Sequence, residues 1–176
     1  IPQEGGALRL LASVPTPDYF ATSTLQGLAV NGASVYFIDN FNHALSTVPV
    51  AGGAVTALAA NLGSVSGTSS SVLVLGGGNA YWAELGTATG CCVAGGTGAI
   101  RRVALSGGAV SNVIAGLDVP ASVRLDGNIL AWTEAWRVGR AAASGAGTAT
   151  LASGIGSNMA RIATDMVTDV LRAFVE

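Results

Sequence analysis

NAYWAELGTATGCCVAGGTGAIRRVALSGGAV, residues 79–110, contains the sequence pattern on which the predicted fold of this chain rests. In it the aromatic pair Tyr81-Trp82 is followed by Glu84, and an alternating, strand-like segment then leads to the turn Gly107-Gly108. The phrase recurs as YFID, AWTE and AFVE, at intervals of 42 to 50 residues. A repeat of this length, made of several short strands, is typical of the blades of a β-propeller.

Each repeat divides into four short strands. The predicted units are residues 25–59, 71–115, 121–152 and 160–176, with residues 7–12 added to the last unit as its outer strand. The sequence therefore predicts an all-β fold in a single domain over residues 1–176. That fold is a β-propeller or a propeller fragment, with about four blades of four-stranded antiparallel sheet.

The fourth unit leaves two alternatives open. Its apolar residues also fit the spacing of an amphipathic helix, although the repeat register favours strands at 160–163 and 170–175. If the chain closes a ring by itself, residues 7–12 pair with these strands; the competing possibility is that the chain is a segment of a six-bladed or larger ring. The opening residues IPQEGG resemble the end of a third strand, so we expect no signal peptide and a chain cut from a longer one.

Tight turns support the division into strands. Asn31-Gly32 and Asp126-Gly127 are predicted to join the first and second strands of their units, because Asn, Asp and Gly accept the positive φ that two-residue hairpins need. Gly52-Gly53 and Gly107-Gly108 are predicted to join the third and fourth strands. The fourth strand of each unit would then begin directly after the glycine pair.

The order of a small apolar strand, the motif YW-x-acid, a strand I-x-R-V-x-L and a GG turn resembles the YWTD-type and related six-bladed β-propeller repeats. The resemblance spans most of the chain and is carried best by NAYWAE and GAIRRVALSGG. It implies that the motif aromatic packs between neighbouring blades and that the acid braces the turn. The residues it assigns to these structural roles are Phe37, Trp82, Trp132 and Phe174, with Asp39, Glu84, Glu134 and Glu176.

Composition limits the classes of partner. The formal net charge of −2 and an isoelectric point of about 5.2 give no field that attracts phosphate backbones, so we predict no nucleic-acid partner. Mean hydropathy is +0.55, yet polar residues or glycines interrupt every apolar run, so no transmembrane segment is predicted. With only 10% charged residues and 25 glycines, the chain is typical of a β-rich extracellular, periplasmic or cell-surface protein.

The insertion Gly86 to Gly98 lengthens the second unit and carries both cysteines, Cys91 and Cys92. Adjacent cysteines do not match the usual spacing of zinc ligands. A vicinal disulfide would stiffen the loop and suits an oxidising compartment, while two free thiols or bridges between subunits are the alternatives. Long loops of repeat folds often carry binding, so this loop is the first candidate for a binding surface.

Residues for catalysis are not grouped in any recognisable motif. GxGxxG after a strand, GxSxG and HExxH are absent from the sequence, and the only histidine, His43, lies in a polar turn, so we predict no cofactor, metal or catalytic residue. The four closing acids would suit calcium only if they converged, because calcium needs six or more oxygens in one place. Repetition once per blade instead spreads them around a ring.

The function predicted is a non-catalytic binding or structural module. Its partner would be a protein or a carbohydrate, and an open blade edge would favour a homo-oligomer through strand addition. One alternative is an enzyme of the lactonase or lyase type, with a channel metal held by residues such as Asn31, Asp126 and Asp165. The other is a carbohydrate-binding propeller with exposed aromatics, for which Tyr19 and Phe20 are candidates.

Overall fold

The structure, a computed structural model, describes residues 9–14, 25–65, 72–89, 92–93, 95–135 and 137–153. These residues form fourteen β-strands and no helix. Twelve of the strands build three four-stranded antiparallel sheets, and the other two form a short ribbon. The predicted all-β class, a propeller or part of one, is confirmed.

Each sheet is built from strands that follow one another in sequence, which makes it one blade. Blade 1 consists of β1 (Leu25–Asn31), β2 (Ser34–Asp39), β3 (Ala44–Pro49) and β4 (Thr56–Ala59). Blade 2 consists of β5 (Leu73–Gly76), β6 (Asn79–Glu84), β9 (Gly98–Ala104) and β10 (Ser111–Leu117), with the ribbon β7 (Ala88–Thr89) and β8 (Cys92–Val93) inserted. Blade 3 consists of β11 (Pro120–Asp126), β12 (Ile129–Glu134), β13 (Arg137–Ala142) and β14 (Ala149–Ser153).

The hairpins between first and second strands are one residue out of register with the prediction. Asn31 pairs with Ser34 and Asp126 pairs with Ile129, so both residues close their strands instead of lying in the loop. The two-residue loops begin with Gly32, Gly77 and Gly127, whose φ values are 57°, 56° and 53°. Glycine takes this left-handed conformation without the steric cost that a Cβ adds, so it occupies the first loop position in all three blades.

The fourth strands begin later than predicted. In blade 1, Gly52 and Gly53 both have positive φ, and the ladder resumes only at Thr56. In blade 2 the equivalent glycines, Gly107 and Gly108, also have positive φ, and the pairing of β10 with β9 starts at Ser111. The chain therefore needs two further residues after each glycine pair before it pairs again with the third strand.

Blades pack face to face, and the core lies between them. We call the face that a blade turns to the next blade in sequence its trailing face, and the opposite one its leading face. Tyr36 and Ile38 on the trailing face of blade 1 share a buried cluster with Leu73 and Trp82 on the leading face of blade 2. Burying a side chain of this size contributes about 1.5–3 kcal/mol, so these clusters hold the blades together.

The predicted outer strand over residues 7–12 is wrong for the part that the structure describes. Residues 9–14 form no strand and lie along the leading face of blade 1. Leu11 and Val14 pack with Phe37 and Val48, and Gly53 N donates to Leu11 O over 3.3 Å. Leu11, Ala12 and Val14 are thus partly buried on blade 1, whereas Leu10 is 80% exposed. Residues 160–176, with Phe174 and Glu176, lie outside the described residues, so the fourth unit and the single domain stay predictions.

Candidate functional site

The second strand of each blade ends in the predicted acid, and the three acids are bound in different ways. In blade 1, Asp39 closes β2 and is buried. Its Oδ1 accepts hydrogen bonds from the backbone N–H of Phe41 and of Asn42, each at 3.0 Å, and its Oδ2 accepts one from Asn42 Nδ2 at 2.6 Å. This is an aspartate turn, in which the side chain replaces the missing backbone acceptor at the end of a strand.

In blade 2 the acid binds side chains instead of the turn backbone. Trp82 Nε1 donates to Glu84 Oε1 at 2.9 Å, and Arg101 Nε donates to Glu84 Oε2 at 3.0 Å. Both Glu84 and Trp82 are buried, so the carboxylate needs a hydrogen-bond donor and the indole N–H needs an acceptor within the protein. The indole and the guanidinium together satisfy the carboxylate, and its charge is balanced by a cation on the next strand.

Blade 3 repeats this arrangement with an arginine at another position. Trp132 Nε1 donates to Glu134 Oε1 at 3.3 Å, while a terminal nitrogen of Arg137 lies 2.9 Å from Glu134 Oε2. Arg137 pairs with Glu134 in the β12–β13 ladder, whereas Arg101 pairs with Trp82 in the β6–β9 ladder. In both blades an arginine of the third strand binds the glutamate that closes the second strand, but the two arginines lie at different positions along the third strand.

Gly139 explains why the arginine of blade 3 lies at a different ladder position from the arginine of blade 2. It pairs with Trp132 across the ladder, at the place that Arg101 takes opposite Trp82. A Cβ at Gly139 would overlap the indole ring of Trp132, so no larger side chain fits there without displacing the ring. Sequence reasoning missed both arginines, although alternation in β9 places Arg101 on the same side as Val103, which shares a buried cluster with Trp82.

The acids also fasten the connectors that lead into their blades. Glu84 Oε2 lies against Gly63, in the connector between blades 1 and 2, and Leu85 N donates to Ser64 O at 2.8 Å. Glu134 Oε2 accepts from Asp118 N at 2.7 Å, in the connector between blades 2 and 3. Glu134 thus binds chain on both sides of a blade boundary, and Glu84 lies in contact with the connector that enters its own blade.

The turn of blade 1 binds the same connector from the other side. Asn40 and Val65 exchange two hydrogen bonds, at 3.3 and 3.4 Å. His43 Nδ1 lies 3.1 Å from Leu62 O, and Leu62 N donates to His43 O at 2.9 Å. These contacts place the histidine in a polar turn that holds the connector, as its sequence neighbours indicated.

The insertion in blade 2 projects from this same end of the blades, because it joins β6 to β9 directly after Glu84. Thr87 N donates to Thr97 Oγ1 at 2.9 Å and closes its base. Gly96 N donates to Asp118 Oδ1, while Asp118 Oδ2 lies 3.5 Å from Arg137 of blade 3. The base of the insertion is therefore fixed through Gly96 to the connector between blades 2 and 3, while Leu85, the residue before the insertion, is bonded to Ser64 of the preceding connector. Cys91 and the side chain of Cys92 lie outside the described residues, so the disulfide stays a prediction.

Other candidate groups lie apart from this end. The turn residues Asn31 and Asp126 stand at the opposite ends of their first strands, and Asp165, Tyr19 and Phe20 are outside the described residues. Within the part of the chain that the structure describes, no three His, Cys, Asp or Glu side chains come together as metal ligands would. The same part of the chain contains no helix long and apolar enough to span a membrane.

A shallow cavity of about 290 Å³ lies at the opposite end of blade 3. It is lined by small side chains and backbone, with Arg140 as its charged group and Ile129 as its largest apolar one. Among the described residues, this lining brings one cation to the cavity and no general base or nucleophile. Sequence reasoning did not predict it, because its residues come from a hairpin and from the neighbouring turn.

Comparisons with known proteins show the fold only. No protein-family model matches the chain, and the search of curated proteins gave no match. Among solved structures, the chain is similar to a chain in the "Crystal structure of Nidogen/Laminin Complex", with 16% sequence identity and a TM-score of 0.60. The similarity covers 76% of this chain and 49% of that one, so the chain spans about half the length of this neighbour.

Proposed function

We propose that this chain is a non-catalytic binding module of a secreted or surface protein, built from propeller repeats of the YWTD type. The observation that carries the proposal is the anchored insertion of blade 2. The base of this loop is hydrogen-bonded to the connector between blades 2 and 3, and a loop that is held at its base loses less entropy when it binds a partner.

The closing acids support a structural role for the repeat motif. Both carboxylate oxygens of Glu84 and of Glu134 are bound by the protein itself, by an indole, an arginine or a backbone N–H. A carboxylate held in this way is poorly suited to accept a substrate proton. We therefore assign Trp82, Trp132 and their acids to the joining of blades, and we extend the same role to Phe174 and Glu176.

The partner that fits this module best is a protein. The similar solved chain belongs to a nidogen/laminin complex, which makes a protein partner the first choice for this fold. Phe41, an aromatic side chain that is 43% exposed, lies in the turn after β2 at the same end as the insertion. Aromatic side chains at loop tips are frequent anchors of protein interfaces.

An oxidising compartment is part of the proposal. Cys91 and Cys92 occupy the insertion, between the last residue of β7 and the end of β8. A vicinal disulfide at this place would stiffen the loop that we propose to bind. Mass measurement of the natural protein before and after reduction decides the question, because a disulfide adds two mass units on reduction and two free thiols add none.

Binding through the insertion is tested with a shortened loop. In the variant, residues 88–93 are replaced by Gly-Ser while Thr87, Thr97 and Asp118 are kept. The native chain, this variant and the control Val50→Ser are immobilised and exposed to the secreted proteins of the source cells and to a glycan array. We expect a secreted protein to be retained by the native chain and the control, and to be lost by the variant.

The alternatives give different results in the same experiment. Retention of glycans without a protein favours the carbohydrate-binding propeller. Turnover of lactone substrates in the presence of calcium favours the enzyme alternative and contradicts a non-catalytic module. A protein retained equally by the native chain and by the shortened variant shows that the insertion does not carry binding.

A further inference from the structure

The hairpin that joins the first two strands of blade 1 contains an asparagine directly before a glycine. Asn31 is the last residue of β1 and pairs with Ser34, and Gly32 is the first residue of the two-residue loop. Both Asn31 and Gly32 are exposed in the part of the chain that the structure describes. The sequence contains no second Asn-Gly pair.

Asparagine is a chemically labile residue, and it is most labile where glycine follows it. In the reaction the backbone nitrogen of Gly32 attacks Cγ of Asn31. The bond between this nitrogen and Cγ forms, the bond between Cγ and Nδ2 breaks, and ammonia leaves with the proton of the backbone N–H. Water then opens the five-membered succinimide ring at one of its two carbonyls, which gives aspartate or isoaspartate. The sequence of steps consumes water alone.

Gly32 leaves its nitrogen accessible to this attack. Its φ is 57°, and a Cβ at this residue would meet nothing within 4 Å. The side chain of the residue that follows an asparagine is the main steric hindrance to ring closure, and glycine has none. The other described asparagines precede larger residues: Asn40, Asn42, Asn61, Asn79, Asn112 and Asn128 are followed by Phe41, His43, Leu62, Ala80, Val113 and Ile129.

The side-chain amide of Asn31 is also free to turn. It has no hydrogen-bond partner among the described residues. By contrast, Asn42 Nδ2 donates to Asp39 Oδ2 at 2.6 Å, and Asn79 Nδ2 donates to Gly77 O at 2.8 Å. An amide that is bound in this way has to give up its hydrogen bond before its Cγ meets the next backbone nitrogen. Asn31 reaches that arrangement without this cost.

Blade 3 already carries one product of the reaction at the equivalent place. Asp126 pairs with Ile129 as Asn31 pairs with Ser34, and the residue that follows it, Gly127, has a φ of 53°. An aspartate at this ladder position is therefore compatible with the hairpin. Conversion of Asn31 to aspartate should leave the strands of blade 1 paired and add one negative charge.

Isoaspartate has a different effect, because it adds a CH₂ group to the main chain. The chain would then run through the former side-chain carbon of residue 31, directly at the pair that closes the hairpin. The residues after it are held by the third strand, since Val50 N donates to Ala33 O at 2.8 Å and Ser34 pairs with Pro49. The added length therefore falls on the β1–β2 pairing, whose register it disturbs.

We infer that Asn31 is a site of spontaneous deamidation, which produces an aspartate form that keeps the hairpin and an isoaspartate form that weakens it. The reaction takes the formal net charge from −2 to −3, because a neutral amide becomes a carboxylate. This inference goes beyond the proposed function and does not depend on it, since the reaction needs neither a partner nor the insertion of blade 2.

Incubation of the folded chain in mildly alkaline buffer, followed by peptide mass mapping, tests the inference. We expect the peptide with Asn31 to become one mass unit heavier at least about tenfold faster than those with Asn61, Asn112 and Asn128, where a side chain follows. Gly32→Ala is expected to suppress the gain at Asn31. Gly127→Ala is the matched control, because it adds the same methyl group at the same loop position of blade 3. A gain at Asn31 no faster than at the other three asparagines overturns the inference.

Substitutions of Asn31 keep the outcome decisive if Gly32→Ala folds poorly. Ion exchange separates the more acidic product, which Asn31→Gln is expected to lack, because glutamine closes the larger six-membered ring far more slowly. Asn31→Asp should unfold at the temperature of the native chain. The amides of residues 33–36 should exchange at least about tenfold faster in the isoaspartate product than in Asn31→Asp. An acidic product that persists in Asn31→Gln, an Asn31→Asp variant that unfolds at a clearly lower temperature, or equal exchange in the two forms contradicts the inference.

Discussion

Arg101 lies directly opposite Trp82 in the β6–β9 ladder, and its guanidinium reaches the same carboxylate that the indole binds. The aromatic and the cation are therefore held in place by one buried acid. The stability of the blade 2 core depends on a polar contact as well as on packed apolar surface. Where such a contact is removed on one side only, the other side is left buried without a partner.

Replacement of Trp82 by phenylalanine tests this dependence. The change keeps an aromatic ring but removes the pyrrole half of the indole, and with it the 2.9 Å hydrogen bond to Glu84 Oε1. We expect the free energy of unfolding to fall by about 1–3 kcal/mol, since a buried acceptor loses its donor. Trp132→Phe is expected to cost less, because the corresponding bond is 3.3 Å long. Urea unfolding measures both, and equal losses would contradict the role given to the shorter bond.

Gly139→Ala tests whether the indole of Trp132 excludes a side chain at position 139. The new Cβ overlaps the indole, and forced repacking of this kind costs about 1–3 kcal/mol. The same substitution made in a Trp132→Leu background is expected to cost clearly less, because the smaller side chain leaves room for the methyl group. Thermal unfolding of the four proteins gives the comparison. Equal costs in both backgrounds would show that the ring is not what excludes a side chain here.

Asp118→Ala tests the anchoring of the insertion. The change removes the acceptor of Gly96 N and the carboxylate beside Arg137. We expect the amide of Gly96 to exchange with solvent about tenfold faster, which corresponds to about 1.4 kcal/mol of local stability. Exchange in β12 should change little, because Glu134 still binds Arg137. Hydrogen exchange followed by mass spectrometry reads both regions, and unchanged exchange at residues 95–97 would argue against the anchor.

Gln26→Met is expected to stabilise the chain. Gln26 Oε1 is buried and has no hydrogen-bond partner among the described residues. A methionine has a similar shape and needs no partner, so the free energy of unfolding should rise by about 1 kcal/mol. Chemical denaturation measures the change. A loss of stability would indicate that a bound water satisfies the amide oxygen.

The blades could be predicted from the sequence because the strand pattern and the turn residues indicate the same boundaries. Alternating strands and turn residues recur together in three units, and the structure has four paired strands in each of them. The hairpin loops were predicted one residue too early, because Asn31 and Asp126 have turn propensity but act as the last paired residues. Propensity does not distinguish the last residue of a strand from the first residue of a loop.

The side-chain network could not be predicted in full, for a different reason. The acids and aromatics recur in the sequence, but the arginines do not keep one position, since Gly139 occupies in blade 3 the place of Arg101 in blade 2. Sequence reasoning also did not show that Leu28 and Val30 of β1 are exposed in the described part of the chain, because an apolar pattern does not indicate how much of each side chain is covered.

The connectors between blades are fastened from both sides. The acid that closes β6 touches the connector that enters blade 2, and the acid that closes β12 binds the one that enters blade 3. Each connector and its acid are separated by less than half a repeat, so a segment that begins in a connector and runs through one blade contains both partners of the contact. We therefore expect that a repeat cut at these points keeps the contact by which it is attached to the blade before it.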